Sequence, residues 1–147
     1  MAEATGDLEK EAFRAMNAVV EPLVRAGFAG PLFTPFGVIV LETLGRKTQE
    51  IRRTPLLATS CGQLTVVATF RAGRSQWVKN LALQTSADWW KNGRRVTGRP
   101  VVFAEAAPWP DETGIPAALA PFVEALRPLV AAGWAIAVLV ESADAQA

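Results

Sequence analysis

Histidine and tyrosine are both missing from this 147-residue chain, and cysteine occurs once, at Cys61. Without histidine there is no Ser-His-Asp triad, no imidazole proton transfer and none of the common zinc sites. A lone thiol permits neither an internal disulfide nor a thiolate metal cluster, so no metal centre is expected. Long hydrophobic runs are also absent. The longest, "LVAAGWAIAVLV" from Leu129 to Val140, falls short of the ~20 residues that span a bilayer and reads as core. The first residues, "MAEATGDLEKEAF", are acidic and lack the basic start and apolar run of a signal peptide, which predicts a cytoplasmic protein. With so few groups able to exchange protons near neutral pH, an enzyme built from this chain would draw its chemistry from a cofactor.

Acidic side chains are scarce in one place only. Residues 46–99 carry eleven bases against Glu50 and Asp88, a net of +9, whereas residues 1–45 and 100–147 net −3 and −5. The stretch "TLGRKTQEIRRTPL" sets Arg46, Lys47, Arg52 and Arg53 within eight positions. Charge of one sign at this density calls for a polyanionic partner or a wide solvated spread. "GRKT" after an apolar stretch supplies backbone N–H groups at a tight turn, two cations and a hydroxyl, which is a phosphate-binding inventory without being a P-loop.

The chain reads as one domain over 1–147. Leu8, Ala12, Met16, Val19 and Leu23 lie on one stripe of an amphipathic helix over 7–27, which packs on the domain or rests on a membrane surface. Barrel strands follow over 37–107, rich in branched and aromatic residues, interrupted by a short helix over 75–84. Asn92-Gly93 marks a two-residue hairpin turn. A helix over 117–132, with Pro121 near its first turn and Pro128 kinking or ending it, precedes a final strand over 134–142 whose unbroken apolar character predicts burial on both faces. Six mostly antiparallel strands with helices beside them predict an α+β fold, a closed or partly split barrel.

The segments "VLETLGRKTQEIRRTPLL", "LTVVATF" and "WVKNL", in that order, closely resemble the deazaflavin-dependent nitroreductase family. The resemblance covers about Val38 to Val102. It implies a split β-barrel akin to flavin-binding barrels, holding coenzyme F-420, a deazaflavin with a phosphodiester and a tail of glutamates. FMN is the less favoured cofactor. Carried over by position, Arg46, Lys47, Thr48 and Arg52 would meet the phosphate. Thr54, Pro55, Leu56 and Leu57 would run beside the ring, with Ala68, Thr69 and Phe70 as the neighbouring wall and Arg71 offering a further basic group. Trp77 and Asn80 would close the site from the helix. The chain departs from the family pattern at Gln49, a glycine there, and at Ile51, a proline there, which predicts an altered phosphate loop.

The resemblance implies an oxidoreductase that moves a hydride between F-420 and an electron-poor, hydrophobic small molecule: a quinone, an enone or a nitro compound. Nitro-reducing relatives use tyrosines that this chain lacks, and no catalytic residue is assigned. Two alternatives stand beside it: a non-enzymatic barrel that binds the cofactor or a fatty acid, and a small barrel that binds nucleic acid through its central arginines, with Trp89 and Trp90 as the only nearby platform. Either a monomer or a homodimer is compatible with the sequence, as is peripheral contact with the inner membrane face through the N-terminal helix.

Overall fold

The computed structural model of the protein describes residues 14, 17–27, 33–70, 75–105 and 107–142. The first helix, α1, is seen over residues 17–25, and most of the stretch expected before it lies outside the described residues. Then come β1 (Phe33–Leu44), β2 (Ile51–Cys61), β3 (Leu64–Thr69), α2 (Gln76–Leu81), β4 (Ala87–Lys91), β5 (Arg94–Phe103), α3 (Val123–Ala131) and β6 (Ala135–Glu141). The strands close into a barrel in the order β1-β2-β3-β6-β5-β4, and every neighbouring pair is antiparallel.

Two hairpin turns are dictated locally. Asn92 and Gly93 both take positive φ, 53° and 75°, so Lys91 pairs directly with Arg94. Gly62, at φ 58°, lets Cys61 pair with Leu64. Other boundaries moved. β1 starts earlier than its apolar run, at Phe33, with a register shift between Thr34 and Gly37. The last helix begins only at Val123, because the chain before it winds as a 3₁₀ turn over Ala120–Phe122 with Pro121 in its first turn.

The pleat sorts the apolar residues into two clusters. Inside the barrel lie Ile39, Leu41, Ala58, Val67, Trp89, Val96, Val102, Ala137 and Leu139, and α2 seals one end with Trp77, Val78 and Leu81. On the outer wall Val66, Val101, Phe103, Ile136 and Val138 are covered by Val19 and Leu23 of α1 and by Val123, Leu126 and Val130 of α3. β6 is therefore covered on both faces, which is why its sequence shows no polar alternation. The described part of α1 uses its apolar stripe for this packing, Val19 and Leu23 being 0% and 1% exposed.

The barrel is open along one seam. Pairing of β2 with β3 ends at Ala58 and Val67, although β2 starts at Ile51 and β3 continues to Thr69. Residues 51–57 keep their β1 partners but have no strand on the other side among the described residues. Pro55 sits in this stretch, where a missing N–H leaves no ladder bond unmade.

Candidate functional site: a cationic cleft at the barrel mouth

The turn between β1 and β2 is built by its own backbone. Gly45 N–H donates to the Glu50 carbonyl and Gln49 N–H to the Gly45 carbonyl, both at 2.9 Å. A Cβ on Gly45 would lie 2.7 Å from Thr48 Oγ1 and 3.4 Å from Arg52 Nε, so only glycine lets those two groups fold over the turn. Thr48 Oγ1 accepts from the Glu50 N–H at 3.3 Å, which fixes the hydroxyl at the turn. Gln49 stands at φ 60°, the left-handed region that glycine enters without a Cβ penalty. The departure from the family pattern is thus absorbed as strain at one residue. Gln49→Gly is expected to raise stability by about 0.5–1 kcal/mol and Gln49→Val to lower it by about 1–2 kcal/mol, read from thermal melts.

Leu44 pairs with Ile51, Thr43 with Arg52 and Glu42 with Arg53. Opposed residues share a face, so the adjacent arginines diverge: Arg52 lies with Thr54 and Leu56 on the inner face, and Arg53 with Pro55 and Leu57 on the outer one. Arg52 joins Arg46, Lys47, Thr48 and Asn80 around a cleft of about 280 Å³. Gln76 of α2 completes the lining, one helical turn before Asn80. Among the described residues, no acidic side chain lines this cleft.

Several donors in the cleft are ready for an anion. Arg46 Nη2 donates to Gln76 Oε1 at 3.0 Å, while its Nη1 is buried with no hydrogen-bond partner among the described residues. A buried guanidinium nitrogen in that state is costly unless a ligand oxygen meets it. The side chain of Asn80 is 3% exposed and lines the same space. Three cations, an orphaned N–H, a hydroxyl and an amide converge where a phosphodiester would fit, so these residues match the charged part of a deazaflavin cofactor.

The remaining sequence-predicted residues fall in three places. Thr54, Pro55, Leu56 and Leu57 of β2 and Ala68 and Thr69 of β3 border the open seam, with Phe70 just beyond; Phe70 is 59% exposed and meets Trp134 edge-on at 5.0 Å. Trp77 is 8% exposed within the barrel interior and does not line the cleft. Arg71 lies outside the described residues. Gln76 escaped the sequence reading, although its position four residues before Asn80 was the available signal. Trp109 packs edge-on against Phe103 at 5.1 Å and carries Arg127 over its ring at 4.5 Å; it borders a second hollow of about 400 Å³ beside the proline-rich loop.

Two other central bases, Arg53 and Arg95, are paired with acids on the outer wall. Glu42, 7% exposed, accepts from the Trp90 indole at 2.9 Å, from Arg95 at 3.2 Å and from Arg53 at 3.4 Å. Arg95 also donates to Asp88 at 2.8 Å, and Asp88 accepts from Thr97 at 2.6 Å. The Trp90 hydrogen bond, with the Arg95 and Arg53 charges behind it and burial opposing, holds the Glu42 carboxyl below the ordinary value of 4.5. A lowered folded-state pKa contributes stability that is fully present above 4.5 and is lost as pH falls through the lowered value. Glu42→Gln is expected to cost about 1–3 kcal/mol at neutral pH and to weaken the acid dependence of stability below pH 4.5, measured by denaturant melts across that range.

A closed antiparallel barrel, split along one seam and carrying a cationic cleft beside the split, defines an α+β split barrel as the class of this protein. The family model described as "F420H(2)-dependent quinone reductase" matches residues 13–105, and the chain belongs to that family. No curated protein matches. Among solved structures, one is 16% identical over 86% of this chain and 81% of its own, with a TM-score of 0.43. Another, the protein Atu2129 of unknown function from Agrobacterium tumefaciens str. C58, is 16% identical with a TM-score of 0.44, the match covering 71% of this chain and 48% of that one.

Proposed function

We propose that this protein is a coenzyme F-420-dependent oxidoreductase that reduces an electron-poor, hydrophobic small molecule, with a quinone as the leading substrate class and an enone or nitro compound as relatives of the same chemistry. The observation that carries the reading is the cleft in which Arg46, Lys47 and Arg52 converge without an acid and the Arg46 Nη1 lacks a partner.

When bound, the deazaflavin supplies a hydride equivalent. Arg46, Lys47 and Arg52 would hold its phosphodiester, Thr48 and Asn80 would add neutral hydrogen bonds, and Gln76 keeps the Arg46 guanidinium aimed into the cleft through the 3.0 Å bond. Along the seam, Thr54 and Leu56 from β2 and Thr69 from β3 would position the ring and keep water from it, so that the reacting partners meet in a fixed orientation, while Ala68 packs on the outer wall. With neither histidine nor tyrosine in the chain, proton delivery is left to solvent.

The test is a titration of the purified chain with oxidised F-420 and, separately, with FMN, following cofactor fluorescence, then oxidation of reduced F-420 by a soluble quinone. Saturable binding of F-420 and quinone-dependent oxidation are expected. A flat response to both cofactors would remove the reading.

A further inference from the structure

The barrel wall has a second gap, beside β5. β4 pairs with β5 no further than Ala87 with Gly98, whereas β5 runs on to Phe103 and keeps its β6 partners there. Among the described residues, 99–103 therefore lack a strand on the β4 side. The hollow of about 400 Å³ lies along this edge, reaches Leu81 and Ala82 at the end of α2, and shares no lining residue with the cationic cleft. The edge does not invite another strand. The Thr97 carbonyl accepts from the Ser142 N–H at 3.0 Å on the β6 side, so by alternation Pro100 turns its missing N–H to the gap. A small molecule is the better occupant, since the volume of about 400 Å³ falls within the ~300–1,000 Å³ of ligand pockets.

The walls narrow its shape. Trp109, Pro100, Pro108 and Pro110 surround the space with rigid rings, and Leu81 and Val102 add an apolar floor. Phe103, edge-on to the indole of Trp109, and Arg127, over its ring, hold it in place, so it does not swing in to fill the hollow. Flat faces at fixed positions fit a planar aromatic body.

The charges narrow its head group. Arg99 Nη1 donates to the Gly114 carbonyl at 2.5 Å. That partner is neutral, so among the described residues the guanidinium keeps an uncompensated charge, with Nε and Nη2 still to be used. Gly114 is itself fixed by Asp111, whose Oδ1 accepts from the Gly114 N–H at 2.9 Å and from the Thr113 hydroxyl at 2.6 Å. Asp111 also lines the hollow, but its carboxylate serves these loop donors and thereby positions the carbonyl that aims Arg99. A guanidinium fork held in this way suits a carboxylate.

We propose that the hollow beside β5 binds an aromatic carboxylate, its ring against Trp109 and Leu81 and its carboxylate on Arg99. The site is separate from the cofactor cleft and is tested without cofactor. Naphthoate and the matching naphthyl alcohol and naphthyl amine are titrated into the isotope-labelled full chain, with chemical shifts read at the Gly114 amide and the Trp109 indole. Saturable binding of naphthoate is expected, at least about tenfold tighter than that of the alcohol. Arg99→Gln, which keeps an amide donor, should erase this preference and leave the alcohol's affinity unchanged, a pattern that mere loss of structure would not produce. Ala82→Phe, checked for an unaltered melt, narrows the hollow and should weaken both ligands. The absence of saturable shifts at Gly114 and Trp109 would overturn the proposal. So would tighter binding of the amine, which would give the site to cations through Asp111. Loss of naphthoate binding in Arg52→Ala but not in Arg99→Gln would overturn it as well, by moving the acid to the cationic cleft.

Discussion

Gly98→Ala is expected to lower stability by about 3 kcal/mol or more, the largest effect of any single methyl group on the barrel wall. A Cβ at this position would overlap the Val140 carbonyl oxygen on β6, far inside van der Waals contact, and lie 2.7 Å from the Trp89 ring. The first neighbour is backbone held by the β5–β6 ladder, and the second is a fully buried indole in the barrel interior. Neither can retreat without opening the barrel. A loss of this size would move the melting midpoint down by about 10 °C. Gly37→Ala is the control, since a Cβ there meets nothing within 4 Å, and its melt should match the parent. If Gly98→Ala melts with the parent instead, the close approach of β5, β6 and Trp89 is wrong.

If Arg52 holds the phosphodiester as proposed, Arg52→Ala is expected to weaken F-420 binding about 10- to 100-fold and to flatten its salt dependence, because one charge-assisted contact would be lost. Arg52 faces inward to the cleft. Arg95 is the informative comparison: it belongs to the same basic segment but is bound to Glu42 and Asp88 on the outer wall. Arg95→Ala should cost stability and leave cofactor affinity nearly intact. Fluorescence titrations at two salt concentrations separate the cases. Equal loss of affinity in the two variants would mean that a diffuse positive field, not a cleft, attracts the anion.

Much of the fold was legible where local chemistry dominates. Asn92-Gly93 had to turn, because both residues accept positive φ. The apolar run in β6 had to be buried on both faces, since no other environment tolerates it. The start of the last helix was misplaced, because a proline suited to a first helical turn also suits a 3₁₀ turn, and only the surrounding packing separates the two. The site was legible as a set of residue types around "GRKT", but its membership was not. Trp77 and Gln76 are neighbours on α2, and the angle at which that short helix crosses the barrel end turns the indole into the core and the amide into the cleft.

The sequence by itself excluded imidazole and phenol chemistry, since histidine and tyrosine are missing, and determined that the middle of the chain would be basic. Tertiary structure alone decided how that positive charge is divided. Strand pairing brings Glu42 beside Arg53 and Arg95, which neutralises the outer wall, while the pleat turns Arg52 inward to an acid-free cleft with Arg46 and Lys47. Coulombic partners are set by distance in space: Arg53, 11 positions from Glu42, meets it when the β1–β2 hairpin forms, and Arg95, 53 positions away, meets it only once β4 pairs with β1 and the barrel closes.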